Sequence, residues 1–207
     1  RSTLFPYTTL FRSGSAGNNG RLLIIGGSND YSGAPAIAGM AAIGAGADLV
    51  YVATPEKSAE AIKATSPDLI VKSLEGDKLS LSHADEILSI VGDVDAVLMG
   101  PGAGIDDETS NLFNVLATKI KKPIILDADS LKQVNLSLIK NREDIILTPH
   151  IFEFKSFFNV SDDLKLDINS YDFKKVDENI SEFQKITGQI KGTVLVKGKY
   201  DLILSAE

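Results

Sequence analysis

Short apolar runs alternate with amphipathic segments along the chain from Arg21 onwards. Most of these runs are apolar at consecutive positions, which is typical of strands that are buried on both faces of a parallel sheet. The alternation of such strands with helices predicts an open α/β sheet with right-handed crossovers. Six runs predict strands: RLLIIGG at 21–27, ADLVYVATP at 47–55, DAVLMGPG at 95–102, PIILDAD at 123–129, DIILTPH at 144–150 and GTVLVKG at 192–198.

The segments between these runs carry signals of helix ends. In SHADEILSIVG, Ser82 and Asp85 have the spacing of a capping box, and Gly92 stands where a helix is expected to end. The segment DDETSNLFNVLATKIKKP begins with acids and ends with lysines, which suits the helix dipole. The segment SYDFKKVDENISEFQKITG predicts a helix that ends on Gly188. Near the chain end, KGKYD separates two apolar runs and predicts a β-hairpin.

Composition excludes several classes of protein. The 207 residues are 43% hydrophobic and 24% charged, and the net charge is −7 without any run of Lys and Arg. Such a chain is a poor candidate for binding nucleic acid or an anionic membrane through bulk charge. The absence of cysteine excludes disulfides and thiolate metal sites, and two histidines exclude a multi-histidine site. We expect a cytoplasmic protein, because cysteine-free composition suits that compartment.

The N-terminal stretch TLFPYTTLFRS fits neither helix nor strand. These eleven residues, from Thr3 to Ser13, match the in-frame translation of a common sequencing-library adapter. We therefore interpret residues 1–16 as a non-native or disordered tail and residues 17–207 as the domain.

Two glycine clusters follow predicted strands. GGSNDYSGAP has Gly26 and Gly27 at a tight strand exit, and the helix after it would present free amides to an anion. A structural turn before a buried helix explains this cluster equally well. MGPGAGIDDET follows the third predicted strand, and neither cluster has the dinucleotide spacing G-x-G-x-x-G. Because ligands bind at the carboxyl ends of such strands, two clusters favour a shared ligand crevice.

Polar residues follow the later strands. Asp127 and Asp129 either bind a hydroxyl or a magnesium ion, or cap the helix that follows. His150 is either a ligand contact or a loop histidine bonded to backbone. His83 falls in the first turn of a helix that we expect to be exposed, and it has a structural role there. KGKYD is either a plain turn or the carrier of two lysines for a nucleotide phosphate.

Five segments, taken in order, resemble the ADP-dependent NAD(P)H-hydrate dehydratase family. The resemblance begins at about residue 19, and it implies a ribokinase-like three-layer αβα sandwich with a mostly parallel sheet. It also implies a carbon–oxygen lyase that uses ADP or ATP to phosphorylate the ring hydroxyl of hydrated NADH or NADPH and then eliminates phosphate. The segments are NGRLLIIGGSNDYSGAPAIAGMAAIGAGADLVYVATPE, DAVLMGPGAGID, PIILDADSL, DIILTPHIFEF and VLVKGKYD.

The resemblance also implies roles for individual residues. Ala34, Gly104 and His150 would contact the hydrate. Glu153 matches an acidic position that is associated with Mg²⁺ and phosphate. The family tends to form symmetric assemblies, so we expect the full-length parent to be a homo-oligomer. The adenine nucleotide would be held by Lys197, Gly198, Lys199, Tyr200 and Asp201.

Two departures from the family pattern change what is expected. Phe152 stands where T-P-H-x-G-E has glycine, which puts close backbone approach in doubt. The family's G-T-G-D segment, whose aspartate would act as the base, has no counterpart, so no catalytic residue is assigned. We expect that the C-terminal part of the fold is missing and that this chain alone is inactive. The alternatives are a small-molecule kinase of the same fold and a non-catalytic nucleotide-binding module.

Overall fold

The computed structural model describes residues 19–161, 163–164, 166 and 173–205. The adapter-like residues 1–16 lie outside this part. Within it, no helix is long and apolar enough to cross a membrane. The strands are β1 Arg21–Ile25, β2 Leu49–Pro55, β3 Leu69–Leu74, β4 Ala96–Met99, β5 Ile124–Leu126, β6 Ile145–Leu147, β7 Thr193–Val196 and β8 Leu202–Ser205. The α-helices are α1 Gly33–Gly44, α2 Glu56–Thr65, α3 Ala84–Val91, α4 Asp107–Lys119, α5 Leu136–Ile139, α6 Ile151–Phe157 and α7 Phe173–Thr187.

All eight strands form one sheet in the order β3-β2-β1-β4-β5-β6-β7-β8. Every neighbouring pair is parallel except β7 and β8, which form the predicted antiparallel hairpin. The chain runs from β1 through β2 to β3 on one side of β1, and then places β4 on the other side of β1. The carboxyl ends of β1 and β4 are therefore neighbours at a topological switch point, which is where open α/β sheets bind ligands.

Helices cover both faces of the sheet, as the three-layer prediction requires. Alternate residues of β1 face the two layers: Leu23 and Ile25 belong to one core cluster, and Ile24 belongs to the other. The smaller cluster packs α1 and α2 on the sheet. The larger one includes the fully buried rings of Phe154 and Phe183, whose centroids are 5.0 Å apart. Such aromatic pairs add roughly 0.5–1.5 kcal/mol to the stabilisation from burial.

The hydrophobic pattern does not predict β3. Its Lys72 and Ser73 are exposed, which interrupts the apolar run that marks the other strands. β3 pairs only with β2 within the described residues, so it lies at an edge of the sheet. Polar side chains on an edge strand discourage pairing with another chain. The missing apolar signal is thus a consequence of the strand's position.

The start of α3 differs from the prediction. A 3-10 turn at Leu81–His83 precedes the helix, and the capping box joins Ser80 and His83 instead of Ser82 and Asp85. His83 is only 6% exposed: its Nδ1 accepts from the Ser80 amide at 3.1 Å, and its Nε2 lies 2.9 Å from the Glu75 carbonyl oxygen. The expectation of an exposed histidine is therefore wrong, although a structural role is confirmed. Gly92 does end α3.

Helix α4 has the predicted charge order, with Asp107 and Glu108 in its first turn and Lys119 in its last. The Asp106 carboxylate caps it by accepting from the Glu108 amide at 2.9 Å. The ammonium of Lys78 lies 3.0 Å from the same carboxylate. The hydrogen bond from Lys78, with a smaller contribution from the Glu108 amide, lowers the pKa of Asp106.

Candidate functional site

The loops after β1 and β4 touch through their backbones at the switch point. The Gly27 amide donates to the Pro101 carbonyl at 2.9 Å. A Cβ added to Gly26 would lie 2.3 Å from that carbonyl oxygen, so a side chain there would push the loops apart. Gly102 has a φ of +64°, a conformation that favours glycine, and a Cβ there would be 3.0 Å from Tyr31. The two glycine clusters thus meet at the switch point, where the sequence predicts a ligand crevice.

Ala34 and Gly104 both lie beside this contact, on α1 and on the loop after β4. Ala34 is the second residue of α1 and is exposed, with its Cβ 3.5 Å from where a Cβ on Gly102 would stand. Gly104 faces Ser28 of the β1 loop: a Cβ on Gly104 would be 3.8 Å from the Ser28 Cβ. Ser32 at the start of α1 makes no side-chain capping bond, so the first-turn amides of the helix are not capped by it.

The structural interpretation of the first glycine cluster expects a buried helix. Helix α1 is buried on one side only. Ala36 and Gly39 face the sheet, and a Cβ on Gly39 would be 2.6 Å from Leu69. Ile37, on another face of the helix, is 69% exposed. The small residues therefore serve close packing on one side only.

A charged cluster occupies the carboxyl ends of β5, β6 and β7. The Asp127 Oδ1 atom accepts from the Thr148 hydroxyl and from the Lys197 ammonium, each at 2.7 Å. Asp127 precedes a 3-10 turn at Ala128–Lys132 but makes no side-chain capping bond to it. The capping interpretation is therefore wrong for Asp127, because its carboxylate is engaged across the sheet.

Asp129 connects this charged cluster to the glycine loops. Its Oδ2 accepts from the Gly104 amide at 3.0 Å, and its Oδ1 accepts from the Lys132 ammonium at 3.1 Å. The carboxylate thus orders the second glycine loop from the side of β5. This contact brings together two sequence segments that the resemblance treats separately.

Lys197 is the first residue after β7. It forms a parallel bridge with His150, and its amide donates to the Pro149 carbonyl at 2.8 Å. Its side chain is 42% exposed beside Asp127. In the turn that follows, the Gly198 amide donates to Asp201 at 3.1 Å, and the Lys199 ammonium lies 5.5 Å from the centroid of the Tyr200 ring. The segment 197–201 is therefore both the hairpin turn and a carrier of Lys197 to the charged cluster.

His150 caps α6 and is paired with Glu153. The His150 Nδ1 accepts from the amides of Phe152 and Glu153 at 3.1 and 3.3 Å, and the His150 amide donates to the Glu153 carboxylate at 2.9 Å. Because Nδ1 accepts, the proton of the neutral ring is on Nε2. The imidazole is 49% exposed, whereas Glu153 is 6% exposed. His150 is thus bonded to backbone through Nδ1, while its Nε2 lies 3.4 Å from Oε1 of Glu153.

Phe152 fits without strain where the family pattern has glycine. Within the described residues, its backbone is not among the non-glycine positions with positive φ. Its side chain is 77% exposed, and its ring stands edge-on to that of His150 with the centroids 5.9 Å apart. The additional side chain therefore points outwards beside the site.

The charged cluster offers few direct metal ligands. No group of three or more His, Asp or Glu side chains in the described part of the chain is arranged to hold a metal ion. Both oxygens of Glu153 face His150, at 2.9 Å from its amide and 3.4 Å from its Nε2. This arrangement fits a Mg²⁺ that is carried mainly by phosphates and water, as Mg²⁺ commonly is at nucleotide sites.

Sequence reasoning missed Thr148 and Gln133. Thr148 donates to Asp127, and Gln133 donates to the Gly104 carbonyl at 2.9 Å. Neither residue type has a distinctive spacing, so the sequence carries no signal for these bonds. The sequence shows only that Asp129 and Gln133 are four residues apart, which is about one helical turn.

Solved structures define the class of the fold. A ribokinase-like superfamily protein from Enterococcus faecalis superposes with a TM-score of 0.72 at 22% identity, covering 95% of this chain and 64% of that one. An ADP/ATP-dependent NAD(P)H-hydrate dehydratase from Bacillus subtilis, co-crystallized with ATP/Mg²⁺, superposes with a TM-score of 0.66 at 20% identity, covering 94% and 64%. The fold is that of the ribokinase-like proteins.

Sequence comparison gives the family. The family model for NAD(P)H-hydrate dehydratase matches residues 22–207, and the chain belongs to this family. A bifunctional NAD(P)H-hydrate repair enzyme, Nnr, from Methanothermobacter thermautotrophicus is 45% identical over 194 residues, which cover 92% of this chain and 36% of that protein. An ATP-dependent (S)-NAD(P)H-hydrate dehydratase from Dictyostelium discoideum is 32% identical, covering 90% and 60%. The chain therefore spans only part of the length of these relatives.

Proposed function

We propose that the protein carrying this chain restores NADH or NADPH from its hydrate at the expense of ADP or ATP. The hydroxyl of the hydrated ring would take the terminal phosphoryl group, and phosphate would then leave as the ring double bond re-forms. Membership of the family supports this assignment. The observation that carries it is that five motifs, far apart in sequence, meet at one edge of the sheet through the contacts of Gly27, Gly104, Asp127 and Lys197.

The hydrate would bind in a crevice formed by the two glycine loops, beside Ala34 and Gly104, with Nε2 of the half-exposed His150 ring as a polar contact. This position is the switch point of the sheet, where parallel α/β proteins bind ligands. The crevice is shaped by backbone, and a ligand can approach it closely because glycines have no Cβ. The uncapped start of α1 would favour a phosphate of the dinucleotide.

The adenine nucleotide would bind at the segment Lys197–Asp201. Lys197 is the residue best suited to a phosphate, because its ammonium lies at the carboxyl edge and its side chain is 42% exposed. Asp127 accepts from that ammonium, and the Thr148 hydroxyl donates to the same Asp127 oxygen. In this proposal the charge of Lys197 offsets the charge of the transferred phosphoryl group, which is the main requirement of such a transfer.

Mg²⁺ would accompany the nucleotide and supply further charge neutralisation. Its ligands would be phosphates and water, with Glu153 as an acid on α6 close to the site. The proposal includes ADP or ATP as the phosphoryl donor, a cytoplasmic location and a homo-oligomeric assembly. The relatives named above support use of a nucleotide.

Product analysis tests the function. The protein at its full natural length is incubated with hydrated NADPH and with ATP or ADP. Reduced nicotinamide is followed by its absorbance, and inorganic phosphate is measured in parallel. We expect equal amounts of NADPH and phosphate. Phosphate retained on an organic product would instead identify a kinase, and nucleotide binding without turnover would identify a non-catalytic module.

A further inference from the structure

The loop that carries Gly104 is packed in the core only as far as Ala103, which is 2% exposed. Beyond Ala103, a Cβ on Gly104 would meet only Ser28, at 3.8 Å, which is an ordinary van der Waals contact. Ile105, which follows it, is 66% exposed and does not pack into the core. Gly104 also has a φ of +76°. Glycine can adopt several other backbone conformations as readily, so this one is not fixed by the residue itself. The position of this peptide must therefore depend on hydrogen bonds.

Those hydrogen bonds come from two side chains one turn apart. The Asp129 carboxylate accepts from the Gly104 amide at 3.0 Å, and the Gln133 Nε2 donates to the Gly104 carbonyl at 2.9 Å. The same Nε2 donates to the Asp129 carbonyl at 3.0 Å, and the Gln133 Oε1 accepts from the Asp106 amide at 3.3 Å. Gln133 thus spans the loop from Gly104 to the start of α4.

Gln133 is itself held firmly. Its side chain is nearly buried, at 7% exposure. Its carbonyl accepts from the Asn114 side chain at 2.9 Å and from the Ser110 hydroxyl at 3.2 Å, both on α4. Because its backbone is bonded to α4 and its side-chain amide is bonded to the loop, Gln133 couples the position of the loop to that of α4. Burial of the amide also makes a lost bond expensive, because water cannot readily replace it.

We infer that Gln133 is a positioning residue for the hydrate. It fixes the peptide of Gly104 on one side of the crevice and acts through Gly104 without touching the substrate. The inference rests on the proposed function, because it assumes that Gly104 contacts the hydrate. Small displacements of such contacts are costly, since a shift of about 1 Å can reduce turnover by about a hundredfold.

Two variants separate the bonds of Gln133. Gln133→Met has a similar length and loses all of them. Gln133→Glu keeps an acceptor for the Asp106 amide and loses both donated bonds. Gln189 provides the control: it is exposed, and its Nε2 donates to one backbone carbonyl, that of Ile186 at 3.0 Å, in the turn after α7. The control variant is Gln189→Met.

Kinetics on the protein at its full natural length give the first readout. We expect both Gln133 variants to raise the KM for the hydrate about tenfold and to leave the KM for the nucleotide within about twofold. Gln189→Met should change neither. Unchanged KM values, or an equal rise in both, would overturn the inference, because a merely structural residue would not separate the two substrates.

Hydrogen exchange gives a second readout that needs no activity. In the 207-residue chain, the amides of Gly104 and Asp106 should exchange faster in Gln133→Met than in wild type and Gln189→Met. Unchanged exchange would overturn the positioning role even in an active enzyme. Faster exchange in Gln133→Met, combined with no dehydratase activity in the wild-type protein at its full natural length, would support the contact and refute the proposed function.

Discussion

The two halves of the carboxyl edge are built differently. Around β1 and β4 the walls are backbone: Gly26, Gly27 and Gly102 allow two loops to touch. Around β5, β6 and β7 the surface is made by charged and polar side chains, with Asp127 and Lys197 paired at 2.7 Å. At Gly26 and Gly27 the first half leaves no room for a side chain. The second half sets charge, and conservative replacements there should alter binding more than folding.

The largest effect should follow a change at Gly100, where the two halves meet. Its φ is +119°, and a Cβ would stand 2.0 Å from the Asp127 carbonyl oxygen. We expect Gly100→Ala to lower the free energy of unfolding by about 3 kcal/mol or more, measured by urea denaturation.

The matched control for this change is Gly44→Ala at the end of α1, where a Cβ would have nothing within 4 Å. That variant should be as stable as wild type or up to about 1 kcal/mol more stable. Equal stability of the Gly100 and Gly44 variants would show that the backbone half is not close-packed.

A smaller effect is expected at His150, which serves both as a helix cap and, in our proposal, as a ligand contact. His150→Ala should lose about 1 kcal/mol of stability, because the Phe152 and Glu153 amides lose their acceptor. His150→Asn should retain most of that stability, because asparagine is a favoured cap.

Both His150 variants should weaken hydrate binding about tenfold, measured by calorimetric titration, because both remove Nε2. If His150→Asn bound the hydrate as wild type does, His150 would be a cap alone. The proposed site would then lack its main polar contact with the hydrate.

The contrast between the halves also explains what the sequence could reveal. Buried strands such as β1 and β4 carry continuous apolar runs, and glycine clusters and acids mark their ends, so the sheet and the site edge were predictable. β3 was not, because Lys72 and Ser73 suit an edge strand and break the run. Bonds between side chains distant in sequence, such as Gln133 with Gly104, depend on tertiary structure that local patterns do not contain.

The smallest effect concerns acid stability at the exit of the second glycine loop. The hydrogen bond from Lys78 lowers the pKa of Asp106 below its usual value near 3.8. A lowered pKa in the folded state stabilises the fold above the unfolded value, and that stabilisation is lost as pH falls through the folded one.

Asp106→Asn should therefore flatten the decline in stability below about pH 4, measured by urea midpoints across pH. The difference should be slight and should shrink in added salt, because the pair is partly exposed. Parallel pH curves for variant and wild type would contradict this account.

The central claim is that the backbone half, together with His150 after β6, binds the hydrate, and that Lys197 of the charged half binds the nucleotide. Calorimetric titration of Gly104→Ala and Lys197→Met, each with the hydrate and with ATP, tests it most directly. We expect Gly104→Ala to weaken only the hydrate, and Lys197→Met to weaken only ATP, each by about tenfold or more. Equal weakening of both ligands by either variant, or of neither ligand by both, would contradict the division of the site.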